Sequence, residues 1–205
     1  MNNVLIAYPK LFACQTKFDR KVSNILANMG AFEASYFADP QGFIKAFLAN
    51  DSRAQNVHEL NGTDIAAYVQ GITHAIVFDD GEEFPDFLEK LTTLKVPTRR
   101  IAIKLTRVIN IKREPEFANV KQTSTYEYIG RGSYWGNPYS MHEEGETREE
   151  VIRKYKYDFD YEKFLNIDKQ EVYKLAGKRL GCFCKPEACH GDVLADYLNA
   201  WDDGK

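Results

Sequence analysis

Residues able to do chemistry crowd into one short stretch of this chain, Gly181-Cys182-Phe183-Cys184-Lys185-Pro186-Glu187-Ala188-Cys189-His190-Gly191-Asp192. Side chains alternate along a strand, so Leu180, Cys182 and Cys184 fall on one face of a short strand here. The Lys185-Pro186-Glu187 turn ends that strand, because proline cannot donate to a ladder. From about Asp192 the spacing of Val193, Leu194, Tyr197, Leu198 and Trp201 becomes helical. Cys189, His190, Gly191 and Asp192 therefore fall at a strand–turn–helix junction, where unpaired amides and the positive end of the helix dipole gather. A thiol ionises more easily in such a place, and an anion docks there.

Three chemistries compete for this junction. In the first, Cys189 or Cys182 is a thiolate nucleophile, and His190 and Asp192 serve as general acid/base and orienter. In the second, Cys182, Cys184, Cys189 and His190 form a zinc set by ligand type. The spacing does not match paired zinc knuckles, however, and adjacent Cys189 and His190 must bend sharply to share an ion. In the third, the thiols are buried packing groups, His190 caps the helix, and Asp192 is a favourable first-turn residue.

A second motif precedes it. Tyr128-Ile129-Gly130-Arg131-Gly132-Ser133-Tyr134-Trp135-Gly136-Asn137-Pro138-Tyr139 mixes glycines with aromatics and one arginine. With Tyr126 and Glu127 ahead of it, this stretch reads as neither helix nor regular strand. Gly130 and Gly132 expose backbone N–H groups that can form an anion nest. Arg131 can grip a phosphate or carboxylate in bidentate fashion. Trp135 or Tyr134 can stack on a base or sugar ring, and Asn137 can orient the ligand.

Composition sets the outer bounds. The chain has 205 residues, 44% hydrophobic and 28% charged, enough for a packed core in one domain or two small ones. A net charge of −3 excludes a global basic field for non-specific nucleic-acid binding. No apolar run approaches a membrane span, and Met1 to Pro9 reads as a first strand rather than a signal peptide. Cysteines without export signals read as reduced thiols or ligands. The expectation is a soluble, cytoplasmic protein with no membrane partner.

The elements that must position the motifs follow from periodicity. Residues 4–7 read as a strand, 18–29 as a helix stopped by Gly30, 32–37 as a strand and 42–49 as a short helix. Residues 52–62 read as a loop and 64–70 as a helical turn or two. A strand over 74–78 runs into Asp79-Asp80-Gly81, followed by a helix over 83–94 and a strand over 100–104. This alternation predicts a Rossmann-like α/β domain over residues 1–105, with a mostly parallel sheet. Ligands in such sheets bind outside the carboxyl ends of the strands, here Tyr8-Pro9-Lys10 and Asp79-Asp80-Gly81. Cys14 and His74 read as packing residues. A smaller α/β domain is expected over 106–205. It has a strand over 107–112, a polar stretch to Ser124, and a helix capped by Thr147 and Glu150 as a capping box. One or two helices over 161–175 precede the cysteine strand.

The strand over 74–78 with its Asp79-Asp80-Gly81 turn resembles the Rossmann-like nucleotide-sensing superfamily that includes cytokinin-activating phosphoribohydrolases. The chain departs from that pattern at Tyr8-Pro9-Lys10, where Gly-Ser is expected. The second half resembles an uncharacterised bacterial and phage family, domain of unknown function 4326. The resemblance rests on Val108 to Lys112, Tyr128 to Arg131, Trp135 to Pro138, Thr147 to Glu150 and Leu180 to Leu194, in that order. It covers about residues 106–201 and implies no settled activity. A further uncharacterised family with Cys-x-Glu ahead of Cys-His-Arg implies that Cys184 is replaceable, which weakens a strict four-ligand zinc site.

The reading adopted is a nucleotide- or nucleic-acid-related enzyme, a transferase or hydrolase. Gly130, Arg131, Gly132, Trp135 and Asn137 would bind a small phosphate-containing ligand, and Cys182, Cys189, His190 and Asp192 would do the chemistry. The alternative is a non-catalytic nucleotide-binding or phage/host interaction module, with a structural zinc or buried-thiol site.

Overall fold

The computed structural model describes residues 1–60, 69, 71–141 and 145–205. The chain divides into two units, Met1–Ile103 with Asp202–Lys205, and Lys104–Trp201. In the first unit, Val4, Leu5, Ile6 and Ala7 are all buried, so this strand is covered on both faces, as interior strands of parallel sheets are. Strands β1 (Asn2–Ala7), β2 (Phe32–Tyr36), β3 (Ala54–Glu59), β4 (His74–Asp79) and β5 (Thr98–Ala102) form one sheet in the order β3-β2-β1-β4-β5. Every pairing in it is parallel.

Alternation along β4 sends neighbouring side chains to opposite layers. Phe78 stacks on Phe18 of α1 (Gln15–Leu26) with ring centroids 5.2 Å apart, and Phe18 in turn meets Phe43 of α2 (Phe43–Ala49). Val77 packs instead with Phe87 and Leu91 of α3 (Pro85–Thr93). Helices on both faces of a parallel sheet make this a Rossmann-like α/β unit. The C-terminal residues return to α1, where Lys17 pairs with Asp203 and Arg20 with Asp202, each at 2.7 Å.

The loop expected over residues 52–62 is corrected by β3. It is an edge strand held to β2 by backbone pairing, and Gln55 to Glu59 are exposed, so no buried alternation marks it in the sequence. The helical turn expected over 64–70 lies outside the described residues, apart from the buried Val69.

At the crevice between β1 and β4, where the strand order reverses, the chain's own groups occupy the strand ends. The Tyr8 hydroxyl donates to Asp39 at 2.5 Å and accepts the Gln41 N–H at 2.8 Å. Burial and the Asp39 carboxylate push the Tyr8 phenol well above its usual range. The Lys10 N–H donates to the Glu83 carboxylate at 3.1 Å.

The second unit is built on three parallel strands, β6 (Arg107–Asn110), β7 (Tyr126–Tyr128) and β8 (Arg179–Cys182), with β8 in the centre. The expectation of no regular strand from residue 126 is thus corrected for its first three residues. Gly181 makes the pairing sterically feasible. A Cβ there would lie 2.3 Å from the hydroxyl of fully buried Tyr126, whose ring stacks on Phe117 at 4.2 Å.

Helix α4 (Arg148–Asp160) starts with the capping box read from the sequence: the Thr147 side chain accepts from the Glu150 N–H, and the Glu150 side chain accepts from the Thr147 N–H. Helix α5 (His190–Asn199) follows the cysteine strand. Between α4 and β8, the expected helices over 161–175 are corrected to a turn and a 3₁₀ segment, Lys169–Leu175, which Asp168 caps through the Gln170 N–H. Ile129, Trp135, Tyr155, Phe159, Leu180, Leu194 and Leu198 form the core. No helix among the described residues is long and apolar enough to cross a membrane.

Two substitutions check this account. Gly181→Ala is expected to destabilise the protein by about 1–3 kcal/mol through overpacking against Tyr126. Thr147→Ala should cost about 1 kcal/mol through loss of the cap. Both are read as lowered midpoints in urea unfolding. An unchanged midpoint for Gly181→Ala would show that Tyr126 does not fill that space.

Candidate functional site

Parallel pairing brings the carboxyl ends of β7 and β8 to the same edge of the sheet. The glycine-rich loop leaves that edge after β7, and the turn carrying Phe183 to Ala188 leaves it after β8. Between them opens a cleft of about 420 Å³ lined by Arg131, Asn137, Met141, Arg148, Phe183, the three cysteines of the junction and His190. Among the described lining residues, Arg131 and Arg148 are the charged side chains and none is a carboxylate.

The Sγ atoms of Cys182, Cys184 and Cys189 all lie within 4.8 Å of one another, with Cys182 and Cys184 at 3.6 Å. Cys182 and Cys189 are buried, and Cys184 is half-buried. Cys189 stands at the N-cap of α5, where its sulfur accepts the Gly191 N–H at 3.4 Å. Asp192 completes this cap by accepting the Cys189 N–H at 2.9 Å, and its other oxygen pairs with Lys185 at 2.7 Å. The first turn of α5 presses close on the sheet: a Cβ on Gly191 would lie 2.4 Å from Ile129.

His190 is 5% exposed. Its Nε2 lies 2.9 Å from the Ile129 carbonyl, which can only accept, so Nε2 carries the proton and Nδ1 is the lone-pair nitrogen. Nδ1 faces the Cys189 sulfur at 3.7 Å, and the ring meets Tyr155 edge-on at 4.9 Å. Burial lowers the His190 pKa, so the imidazole is neutral.

Three thiols this close share charge. The hydrogen bond from Cys189 holds the Cys182 thiol down at about 5. Cys189 is correspondingly pushed up, first by its bond to Cys182 and then by burial. Burial and the Cys182 charge raise Cys184. Without a metal, the cluster holds one thiolate centred on Cys182.

Several expected roles are corrected by these positions. Cys189 is 1% exposed, and its bond to Cys182 pushes its thiol up, so the thiolate is favoured on Cys182 rather than on Cys189. His190 lies outside the mutual 4.8 Å set of sulfurs, so the four-ligand zinc set reduces to three cysteines. Asp192 caps a helix and pairs with Lys185 rather than orienting His190. Trp135 is 4% exposed and lies in the core, so its ring has no face to offer a ligand. Its carbonyl accepts the Tyr155 hydroxyl at 3.0 Å. Asn137 lines the cleft, but its amide is engaged by the Val151 carbonyl at 3.1 Å and the Tyr139 N–H at 2.9 Å.

Other groups keep a place at the cleft or shape its loop. Arg131 is exposed and lines the cleft. Gly130 is buried, because a Cβ would lie 2.2 Å from the Tyr128 hydroxyl, and Gly132 takes a left-handed φ of 82°. Tyr134 is 48% exposed, with its hydroxyl accepting the Asp168 N–H.

Arg148 is a residue the sequence did not single out. It begins α4, lines the cleft, and donates to the Ala188 carbonyl at 3.1 Å. In the sequence it is one charge in a run of charges, and only its position directly after the Thr147 cap sets it apart.

Residues 1–109 match the Minimal SLOG domain, and residues 108–200 match the Domain of unknown function (DUF4326). The chain therefore belongs to the minimal SLOG domain family, and both resemblances read from the sequence are borne out. An uncharacterized 12.4 kDa protein in the nrdA-td intergenic region of Enterobacteria phage T4 is 42% identical over 72 residues. That match covers 35% of this chain and 65% of the relative's own length. No solved structure matches the chain.

The shared thiolate has a spectroscopic consequence. In metal-free protein, one thiolate per chain should appear at 240 nm as pH rises through about 5, and the other two sulfurs of the cluster should stay protonated past the ordinary thiol value of 9.0. A lowered folded pKa means that the stability Cys182 contributes is full above that ordinary value and is lost as pH falls through about 5. Cys182→Ser should abolish the acidic step. If the step survives, the charge sits on another sulfur.

Proposed function

We propose, with SLOG membership as the premise, that this chain is a nucleotide-related enzyme whose cleft in the second unit takes a phosphate-bearing ligand. The observation that carries this reading is the meeting of Arg131, Arg148 and three sulfurs in one cleft, with no carboxylate among its described lining residues. Arg131, on the exposed rim, grips phosphate oxygens through its fork of donors, and Arg148 adds a fixed positive charge. Phe183, 49% exposed at the rim, takes over the base-contacting role first given to Trp135.

The cysteine cluster suits a zinc ion by ligand type. Tetrahedral thiolates about 2.3 Å from zinc lie about 3.8 Å from one another, and the Cys182–Cys184 separation is 3.6 Å. Bound there, zinc would supply Lewis acidity at the floor of the cleft. The protein's own residues hold the ligand, exclude water from the buried sulfurs and keep His190 neutral with Nδ1 turned toward Cys189.

A second reading is favoured by one observation. Cys182 and Cys189 are 5% and 1% exposed, and Cys189 caps a helix, as befits a junction that only holds the fold together. On that reading the chain is a binding module that returns its ligand unchanged.

Calorimetric titration of the full chain with nucleoside mono- and diphosphates, against the unphosphorylated nucleoside, tests the proposal. Binding should require the phosphate, and Arg131→Ala should weaken it about tenfold or more, the scale of a lost charged hydrogen bond. Equal binding of nucleoside and nucleotide, or none of either, rejects this function. Chromatography of the bound compound after incubation then separates enzyme from binding module.

A further inference from the structure

The cysteine cluster offers a metal three ligands, and zinc prefers four. Where the fourth comes from decides what the metal can do. In a closed site a metal only braces the fold. In an open one it meets whatever occupies the cleft.

The other nearby donors fall outside that set. His190 holds its Nε2–H on the Ile129 carbonyl at 2.9 Å, and its ring nitrogens fall outside the mutual 4.8 Å set. Its Nδ1 faces the Cys189 sulfur at 3.7 Å but does not come within 4.8 Å of all three sulfurs. Asp192 has one oxygen on the Cys189 N–H at 2.9 Å and the other on Lys185 at 2.7 Å. Among the described residues, no further cysteine, histidine or carboxylate joins the set. Its least buried member, Cys184, lines the cleft beside Arg131 and Arg148.

We infer that the three cysteines hold a thiophilic divalent ion with its fourth position open to the cleft that Arg131 and Arg148 line, where it takes water or an oxygen of a phosphate-class anion. This rests on the zinc half of the function proposed above and adds the ligand class that the metal itself meets. The charges make sense of the arginines. Three thiolates around a divalent ion carry a net −1, which repels an anion. Arg131 on the rim and Arg148, which lines the same cleft, oppose that charge. A closed structural site has no need of them.

The test uses the full chain loaded with cobalt(II) in place of zinc. One cobalt per chain should give intense sulfur-to-metal charge-transfer bands. Its visible bands should shift and saturate on titration with cyanide, and with inorganic phosphate. Arg148→Ala should weaken the phosphate titration about tenfold while leaving the cobalt spectrum in place. X-ray absorption of the zinc-loaded chain, which needs no variant, should show three sulfurs and one oxygen. Failure to bind cobalt, a spectrum that cyanide does not move, or the outer-shell scattering of an imidazole would each overturn the inference. A chain that opens its metal to cyanide and phosphate yet binds no nucleotide sinks the nucleotide reading and leaves this one standing. Nucleotide binding by metal-free protein with no cobalt site does the reverse.

Discussion

Two hydrogen bonds at Ile129 hold the two motifs of this chain to each other: its N–H donates to the Gly181 carbonyl at 2.9 Å, and its carbonyl accepts from His190 Nε2 at 2.9 Å. Ile129 begins the glycine-rich loop, and His190 begins α5 directly after Cys189. A carbonyl that can only accept sets the tautomer of the imidazole, and the tautomer decides which nitrogen faces the sulfurs. Both partners are buried, so neither finds water if the bond opens. The loop and the helix start therefore behave as one body, and the cleft between them keeps its shape.

Those bonds depend in turn on the central strand. Because β8 pairs in parallel with both β6 and β7, all three strands end at one edge. Gly181 lets the Tyr126 ring lie flat against β8, and Gly191 lets the first turn of α5 press on Ile129 and Val108. Each glycine is needed because another atom occupies the place of its missing side chain, and neither has a backbone angle that L residues avoid. The cysteines gain their proximity from this packing. Cys182 ends a strand and Cys189 caps a helix, and the turn between them brings Cys184 up to both.

Some of this is legible in the residues and some is not. The Thr147 capping box reads directly, because a cap is local chemistry at a fixed spacing. The buried run of β1 and the turn after β4 read well for the same reason. The strand β3 does not, since an edge strand with exposed polar side chains gains its order from backbone pairing alone. Trp135 and Tyr134 look equivalent in the sequence, yet one lies in the core and the other outside it, a distinction set by contacts with Tyr155 and α4 far along the chain. The convergence of the cysteines was visible as composition, whereas the place of His190 outside their set is a matter of distance that adjacency to Cys189 in the sequence does not give. Arg148 was hidden in a run of charges, and only the position of the Ala188 carbonyl singles it out.

The crevice of the first unit has a feature of another kind. The Lys10 amide sits where the first strand ends, a place at which Rossmann-like folds receive ligand oxygens, and the Glu83 carboxylate already rests on it at 3.1 Å. A tethered carboxylate competes at a fixed effective concentration, independent of how much ligand is present. Any anion that approaches this amide must outbid a resident that never diffuses away and must also endure its displaced negative charge. At the Lys10 amide, the chain thus supplies its own anion in the place a ligand oxygen would take.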